Sequence, residues 1–329
     1  MKNSARARAV TALCALVTGP LLCAGASMAA NYPTKPVRVI VSTSASGGTD
    51  AVARVYAQKL SDLLGQSFVI DNRGGATGMI GMDIVASAVP DGYTFLIMNV
   101  GHLMSSLTRN AGFDMNRTYA PVSELASTPI LLVVHPSVPA KTLPEFIALA
   151  KAKPGKLNYA SGGQGGVQHF ATVLFEREAK IDLMHVPYKG SGPGIIDLLG
   201  GQVQLTLTSM PPLVPHVKAG KLRGLAVTSP TRTASLPEVP TFAEHGLPGV
   251  DVQIWYGMFA PPKTPRAIID TLQSAIAKVA KMPDVQEKMI AQGATPLGTP
   301  PAQLAAYAKS ERDKWLKVGR AAGLVVDKK

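Results

Sequence analysis

Two stretches of this chain carry the same device: an apolar strand run, a loop of small residues, and then an apolar helical pattern. The first is VIVSTSASGGTDAVARVYAQKL, Val39 to Leu60, and the second is NYASGGQGGVQHF, Asn158 to Phe170. In the second, Gly162, Gly163, Gly165 and Gly166 crowd between Ser161 and His169. A strand that feeds a helix so directly belongs to an α/β sheet with helices packed on its faces. Ligands of such sheets bind at the carboxyl ends of the strands. A helix N-terminus there offers unpaired N–H groups and a partial positive charge. Glycine lets a ligand approach that backbone closely. Each loop therefore reads as a cradle for a carboxylate or phosphate.

The rest of the chain repeats the alternation. VRVIV (Val37–Val41), SFVIDN, TFLIM (Thr94–Met98), ILLVVHP, KLNYAS, LMHVPY, LRGLAVTS and the long DVQIWYGMFAPP read as strands. QVQLTLTS alternates polar and apolar residues, the pattern of a half-buried strand. Helical spacing is expected over Thr49–Leu64, GMIGMDIVASA, Val167–Ala179, Pro193–Leu199, Thr264–Lys281, Asp284–Gln292 and Pro300–Gly319. Another helix starts at Thr142-Leu-Pro-Glu, with Thr142 as cap and Glu145 as the capping-box acid.

Familiar phosphate and catalytic motifs fail on inspection. Neither loop ends in Gly-Lys-Ser/Thr, and the GxGxxG spacing from Gly163 breaks at Gln168. There is no GxSxG, no HExxH, and the histidines are scattered singly, so neither a metal site nor a cofactor is expected. Ser161 reads as a ligand hydroxyl or a cap, His169 as a packed side chain or a ligand contact, and Asp50 as a site residue or a complement to the helix dipole. Lys189 lacks any sign of the desolvated pocket that a Schiff-base lysine needs.

Residues 1–29 read as a secretory signal peptide: Lys2, Arg6 and Arg8, then an apolar run broken at Gly19-Pro20, then Ser27-Met28-Ala29. Both cysteines, Cys14 and Cys23, fall inside it, which leaves no thiol chemistry for the mature chain. Three of the charges behind the net +12 lie in that segment as well. The remaining excess favours anionic partners. Dispersed basic residues and few aromatics exclude a nucleic-acid surface.

The stretches YPTKPVRVIV, GGTDAVAR, LGQSFVIDNRGGATGMIG, PDGYTFLI, NYASGGQGGVQHF, HVPYKGSGPG, GGQVQL, AGKLRGLAVTS, LPEVPTFAEHGLPG and WYGMFAPPKTP occur in order over the whole mature length. In them the chain resembles the Bug family, the periplasmic solute receptors of tripartite tricarboxylate transporters. The resemblance implies an α/β, type II-like Venus-flytrap fold with hinge-crossing strands. It implies one lobe from residues 30–130 plus 254–329 and another from 131–253. It also implies a periplasmic monomer that binds a small carboxylate and passes it to integral-membrane transporter subunits.

Carried over position by position, the ligand-binding set is Ala45, Ser46, Gly47, Gly48, Thr49 and Asp50, then Ser161, Gly162, Gly163, Gly165, Gly166 and His169, with Thr208. The chain departs from the family pattern at Ser42, Thr43 and Ser44, where two prolines flank an aromatic residue, and at Ser46, commonly glycine. Gly166 replaces a frequent serine, and Thr208 a frequent aspartate. Two other readings share these residues: a sensor that presents the same ligand to a signalling receptor, and a hydrolase using Ser161 and His169.

Overall fold

The computed structural model describes residues 32–110, 113–321 and 323–325. The signal peptide read over residues 1–29 lies outside them. Contacts divide the chain into a unit Met1–Tyr32 and a unit Pro33–Lys329, and the architecture below is that of the second.

In chain order its elements are β1 (Val37–Val41), α1 (Gly48–Leu64), β2 (Phe68–Asn72), α2 (Met79–Ala86), β3 (Thr94–Asn99), α3 (Val100–Arg109), α4 (Met115–Thr118) and β4 (Ala120–Val134). Then come α5 (Leu143–Ala152), β5 (Asn158–Ser161), α6 (Val167–Ala179), β6 (Met184–Pro187), α7 (Ser191–Leu199), β7 (Leu205–Ser209), α8 (Val214–Lys218) and β8 (Arg223–Val227). β9 (Gln253–Ala260), α9 (Arg266–Ala280), α10 (Pro283–Ala291), β10 (Thr295–Pro296) and α11 (Pro301–Ala321) complete the chain.

Ten strands join in the order β2-β1-β3-β9-β4-β7-β5-β6, with β8 and β10 also on β4. β1 lies parallel between β2 and β3, as strand–helix–strand units require. β5 lies parallel between β6 and β7 in the same way. Between these two parallel groups run the antiparallel strands β9 and β4. Residues Ala120–Pro129 of β4 pair with β9, and Ile130–Val134 pair with β7. One uninterrupted strand therefore serves both halves of the sheet, and β9 brings the chain back from the second half to the first.

Local chemistry explains the element ends. α1 stops where Gly65 turns left-handed and its N–H reaches Ser61 O at 3.0 Å. α5 is capped by the Thr142 side chain, which accepts from Glu145 N. Glu145 Oε2 accepts from Lys141 N at 2.7 Å, so its acid reaches one residue before the cap rather than the cap itself. β7 departs from its sequence pattern: all five residues are buried, not half of them. Thr206 tolerates this because its hydroxyl donates to Ala160 O at 2.9 Å.

Each half has its own apolar packing. Leu131 and Val133 of β4 pack with Ile195 and Leu198 of α7 and with Leu213 and Leu222 in the second half. In the first half Val37, Val39 and Ile40 of β1 lie buried, as do Val52 and Leu60 of α1. Burying a side chain of this size contributes about 1.5–3 kcal/mol.

Candidate functional site

The two glycine loops lie at the carboxyl ends of β1 and β5, and both open on one cavity between the halves of the sheet. From the first half come Ser42 and Thr43 after β1, Gly48 and Thr49 at the start of α1, Asn99 at the end of β3 and His102 in the first turn of α3. The second half contributes Gly162, Gly166 and Val167 around the start of α6, Lys189 and Ser191 at the start of α7, and Thr208 and Ser209 at the end of β7. Ile254 and Tyr256 of β9 close it from the hinge side. The N-termini of α1, α3, α6 and α7 thus converge on one space, each with a partial positive charge, and those of α1, α6 and α7 have no side-chain cap.

No acidic side chain among the described residues lines this cavity, and Lys189 is the fully charged group in its wall. His102 stays neutral, because burial drives its pKa down. Its Nδ1 accepts from Asn99 N at 3.0 Å, so Nε2 carries the proton toward Ser42 O, 3.1 Å away. Asn99 in turn caps α3, its Oδ1 accepting from Gly101 N at 2.7 Å, while its amide donates to Thr49 Oγ1 at 2.8 Å. These bonds tie the starts of α1 and α3 into one rigid donor surface.

Gly48 shows why the approach must be glycine. A β-carbon there would collide with Ser209 Oγ and stand 2.7 Å from the Tyr256 hydroxyl. The start of α1 therefore lies directly against β7 and β9. Before α2, Gly75, Ala76, Thr77 and Gly78 all have positive φ, an arrangement that costs about 1–3 kcal/mol at each non-glycine residue. It directs the Thr77 hydroxyl across the cleft, where it donates to Gln164 O at 3.4 Å.

Of the residues singled out from sequence, Gly48, Thr49, Gly162, Gly166 and Thr208 line the cavity. Ala45, Ser46, Gly47, Gly163 and Gly165 belong to the same loops but lie outside that wall, Ala45 and Ser46 exposed. Asp50 is spent internally: its carboxylate accepts from Ser46 N at 3.0 Å, Arg54 Nε at 2.9 Å and Asn72 Nδ2 at 3.0 Å. It fixes the shape of the first loop.

Ser161 and His169 do the same for the second loop. Ser161 is buried, with Oγ 2.6 Å from His185 Nε2 and accepting from Gly163 N at 3.2 Å. His169 Nδ1 accepts from Gly165 N at 3.0 Å. The His185 ring is stacked between Tyr159 and His169, with centroids 4.8 and 4.4 Å away. Burial, then the neighbouring His169, pulls His185 down to about 4, so this support is uncharged at neutral pH.

Sequence reasoning missed Thr77, Asn99, His102, Ser209 and Tyr256. A signal existed for two of them. Asn99-Val-Gly-His102 follows the strand TFLIM directly and repeats the strand–helix device with no glycine run to mark it.

Comparison with known proteins agrees with this geometry. Residues 52–324 match the family described as the tripartite tricarboxylate transporter family receptor. The chain is 37% identical over 295 residues to protein BugT of Bordetella pertussis, covering 89% of this chain and 90% of that one. A Rhodopseudomonas palustris protein solved with adipate superposes with a TM-score of 0.86 at 36% identity, covering 89% of this chain and 99% of the other. MatC of the same organism, solved with bound malate, gives a TM-score of 0.82 at 31% identity over 87% of this chain and 99% of the other.

Proposed function

The chain belongs to the tripartite tricarboxylate transporter receptor family, and from that premise we propose that it is a periplasmic solute receptor that closes around one small carboxylate. The observation that carries this reading is the convergence of four helix N-termini on a cavity whose wall holds no acid. A carboxylate there replaces its lost hydration with fixed N–H donors. Relatives solved with adipate and malate support a dicarboxylic acid as the ligand class. The ligand-binding surface is made by Gly48 and Thr49 of the first loop and Gly162 and Gly166 of the second, with Thr208 at the end of β7, while the rest of the two loops holds these in place.

The two lobes are residues 30–130 with 254–329, and residues 131–253. The switch of β4 from β9 to β7 pairing after Pro129 supports that boundary. The receptor serves a membrane transporter rather than a reaction. Ser161 is turned toward His185 instead of the cavity, which supports a binding role over hydrolysis. Its export follows from the leader-like segment at residues 1–29.

A thermal-shift screen over malate, adipate, succinate, citrate, aspartate, glutamate and benzoate tests the reading. An acid at 100 times its dissociation constant should stabilise the protein by roughly 2.7 kcal/mol. Flat melting temperatures across all seven acids would overturn it.

A further inference from the structure

We propose that Tyr256 binds the ligand from the hinge side of the cavity, its phenolic O–H donating a hydrogen bond to an oxygen of the bound acid. The proposal rests on the reading of the site as a carboxylate receptor.

Tyr256 sits on β9, where it pairs with Asn99 of β3 on one side and Ala126 of β4 on the other. Its side chain is only 1% exposed, yet its hydroxyl has no hydrogen-bond partner. The Ser209 hydroxyl is close enough to offset part of the effect of burial on the phenol, but it does not meet the phenol in hydrogen-bonding geometry. A buried hydroxyl left unpaired is costly, and such groups in native proteins mark a place where something else is held. The oxygen lies close to the start of α1, in the wall of the cavity: a β-carbon on Gly48 would stand 2.7 Å from it. The hydroxyl therefore faces the first turn of α1, where the helix offers its own N–H groups to an anion.

An oxygen bound at that helix start receives backbone N–H donors and the phenolic O–H together. Burial pushes the phenol pKa further up, so the hydroxyl keeps its proton and serves as a donor. The Thr43 hydroxyl, in the wall of the same cavity, is also buried without a partner, a second polar group a ligand could satisfy. Because β9 carries the chain between the two halves, the same contact fixes the ligand to the hinge.

The test is Tyr256→Phe in the full exported chain, with malate and adipate titrated calorimetrically and the ligand-free melting temperature measured. The free variant should melt at the wild-type temperature or higher, because the hydroxyl has no partner to lose. It should bind whichever of the two acids the wild type binds on the order of tenfold to a hundredfold more weakly. A structural role moves both readings together, whereas this one moves them apart. A variant that melts lower or fails to fold shows the hydroxyl already satisfied in the free protein and overturns the proposal. So does unchanged affinity in a stable variant, while wild-type binding leaves the receptor reading standing. If neither acid binds, the acid of the thermal-shift screen that stabilises the wild type most takes their place in the titration; a wild type that binds none of the seven removes the carboxylate reading, and the role of Tyr256 falls with it.

Discussion

Thr208 is one of the few residues in the cavity wall whose identity can change the charge of the site without disturbing its supports. It stands at the end of β7, 2% exposed, beside Ser209 and facing the same space as the start of α1. A threonine leaves the helix N-termini free to act on the ligand, and an aspartate would supply an anion of its own. Two like charges at ~4 Å repel by about 4 kcal/mol at an effective dielectric near 20. Thr208→Asp should weaken malate binding at least tenfold, while loss for an acidic amino acid is smaller because its ammonium gains a partner. Calorimetry with malate and aspartate on both proteins checks this. Equal losses for the two ligands would show that residue 208 does not face the ligand. This residue was singled out only through the family resemblance, where the position commonly holds aspartate, and it lies in the cavity wall. Tyr256 was not, since nothing in WYGMF distinguishes a core tyrosine from one aimed into a cavity.

Among the strands, β4 combines the greatest length with a buried acid. It runs 15 residues, far beyond the five or six of an average strand, because it pairs in both halves. Only its second part could be read from sequence, as ILLVVHP. The first part, APVSELASTP, mixes prolines and polar residues, and it becomes a strand through pairing with β9. α3 was missed for a related reason: His102, Ser105 and Ser106 are buried along with its apolar residues, so no polar face marked a helical period. Where the apolar pattern was complete, as in Val167–Ala179, sequence and structure agree at both ends.

Glu124 of β4 is buried near Glu311, whose own Oε2 accepts from Trp315 Nε1 at 2.9 Å. Burial, and then the neighbouring acid, pushes Glu124 up to about 7. A carboxyl whose folded pKa is raised stabilises fully below its ordinary pKa near 4.5, and that stability is lost as pH rises through about 7. Glu124→Gln removes the titration. The variant should gain on the order of 1–3 kcal/mol over wild type between pH 5 and pH 8. Denaturant melts at the two pH values measure it. A pH-independent difference would place the Glu124 carboxyl in water.

At the scale of the whole molecule, the two halves meet across the cavity through contacts that a bound ligand must reinforce. Thr77 reaches Gln164, and Ser44 packs against Gly190 so closely that a β-carbon there would collide with its side chain. Gly190 also has φ near 108°, which side chains rarely adopt. The arrangement is that of a shut cleft. Without an anion it brings the positive ends of α1, α3, α6 and α7 together with nothing between them, which favours opening. With the anion bound, each end gains a partner only while the cleft is shut, and that differential affinity shifts the equilibrium. Wild-type protein should therefore contract on adding malate or adipate, seen as a smaller radius of gyration in solution scattering. Gly190→Val should hold the cleft apart by filling the space that Ser44 occupies. Its radius should stay at the ligand-free value, and its apparent affinity should fall in proportion to the lost population of the shut form. Contraction of the variant to the wild-type liganded radius would show that closure does not pass through this contact. A wild-type radius indifferent to an acid that calorimetry shows to bind would mean that the free receptor is already shut.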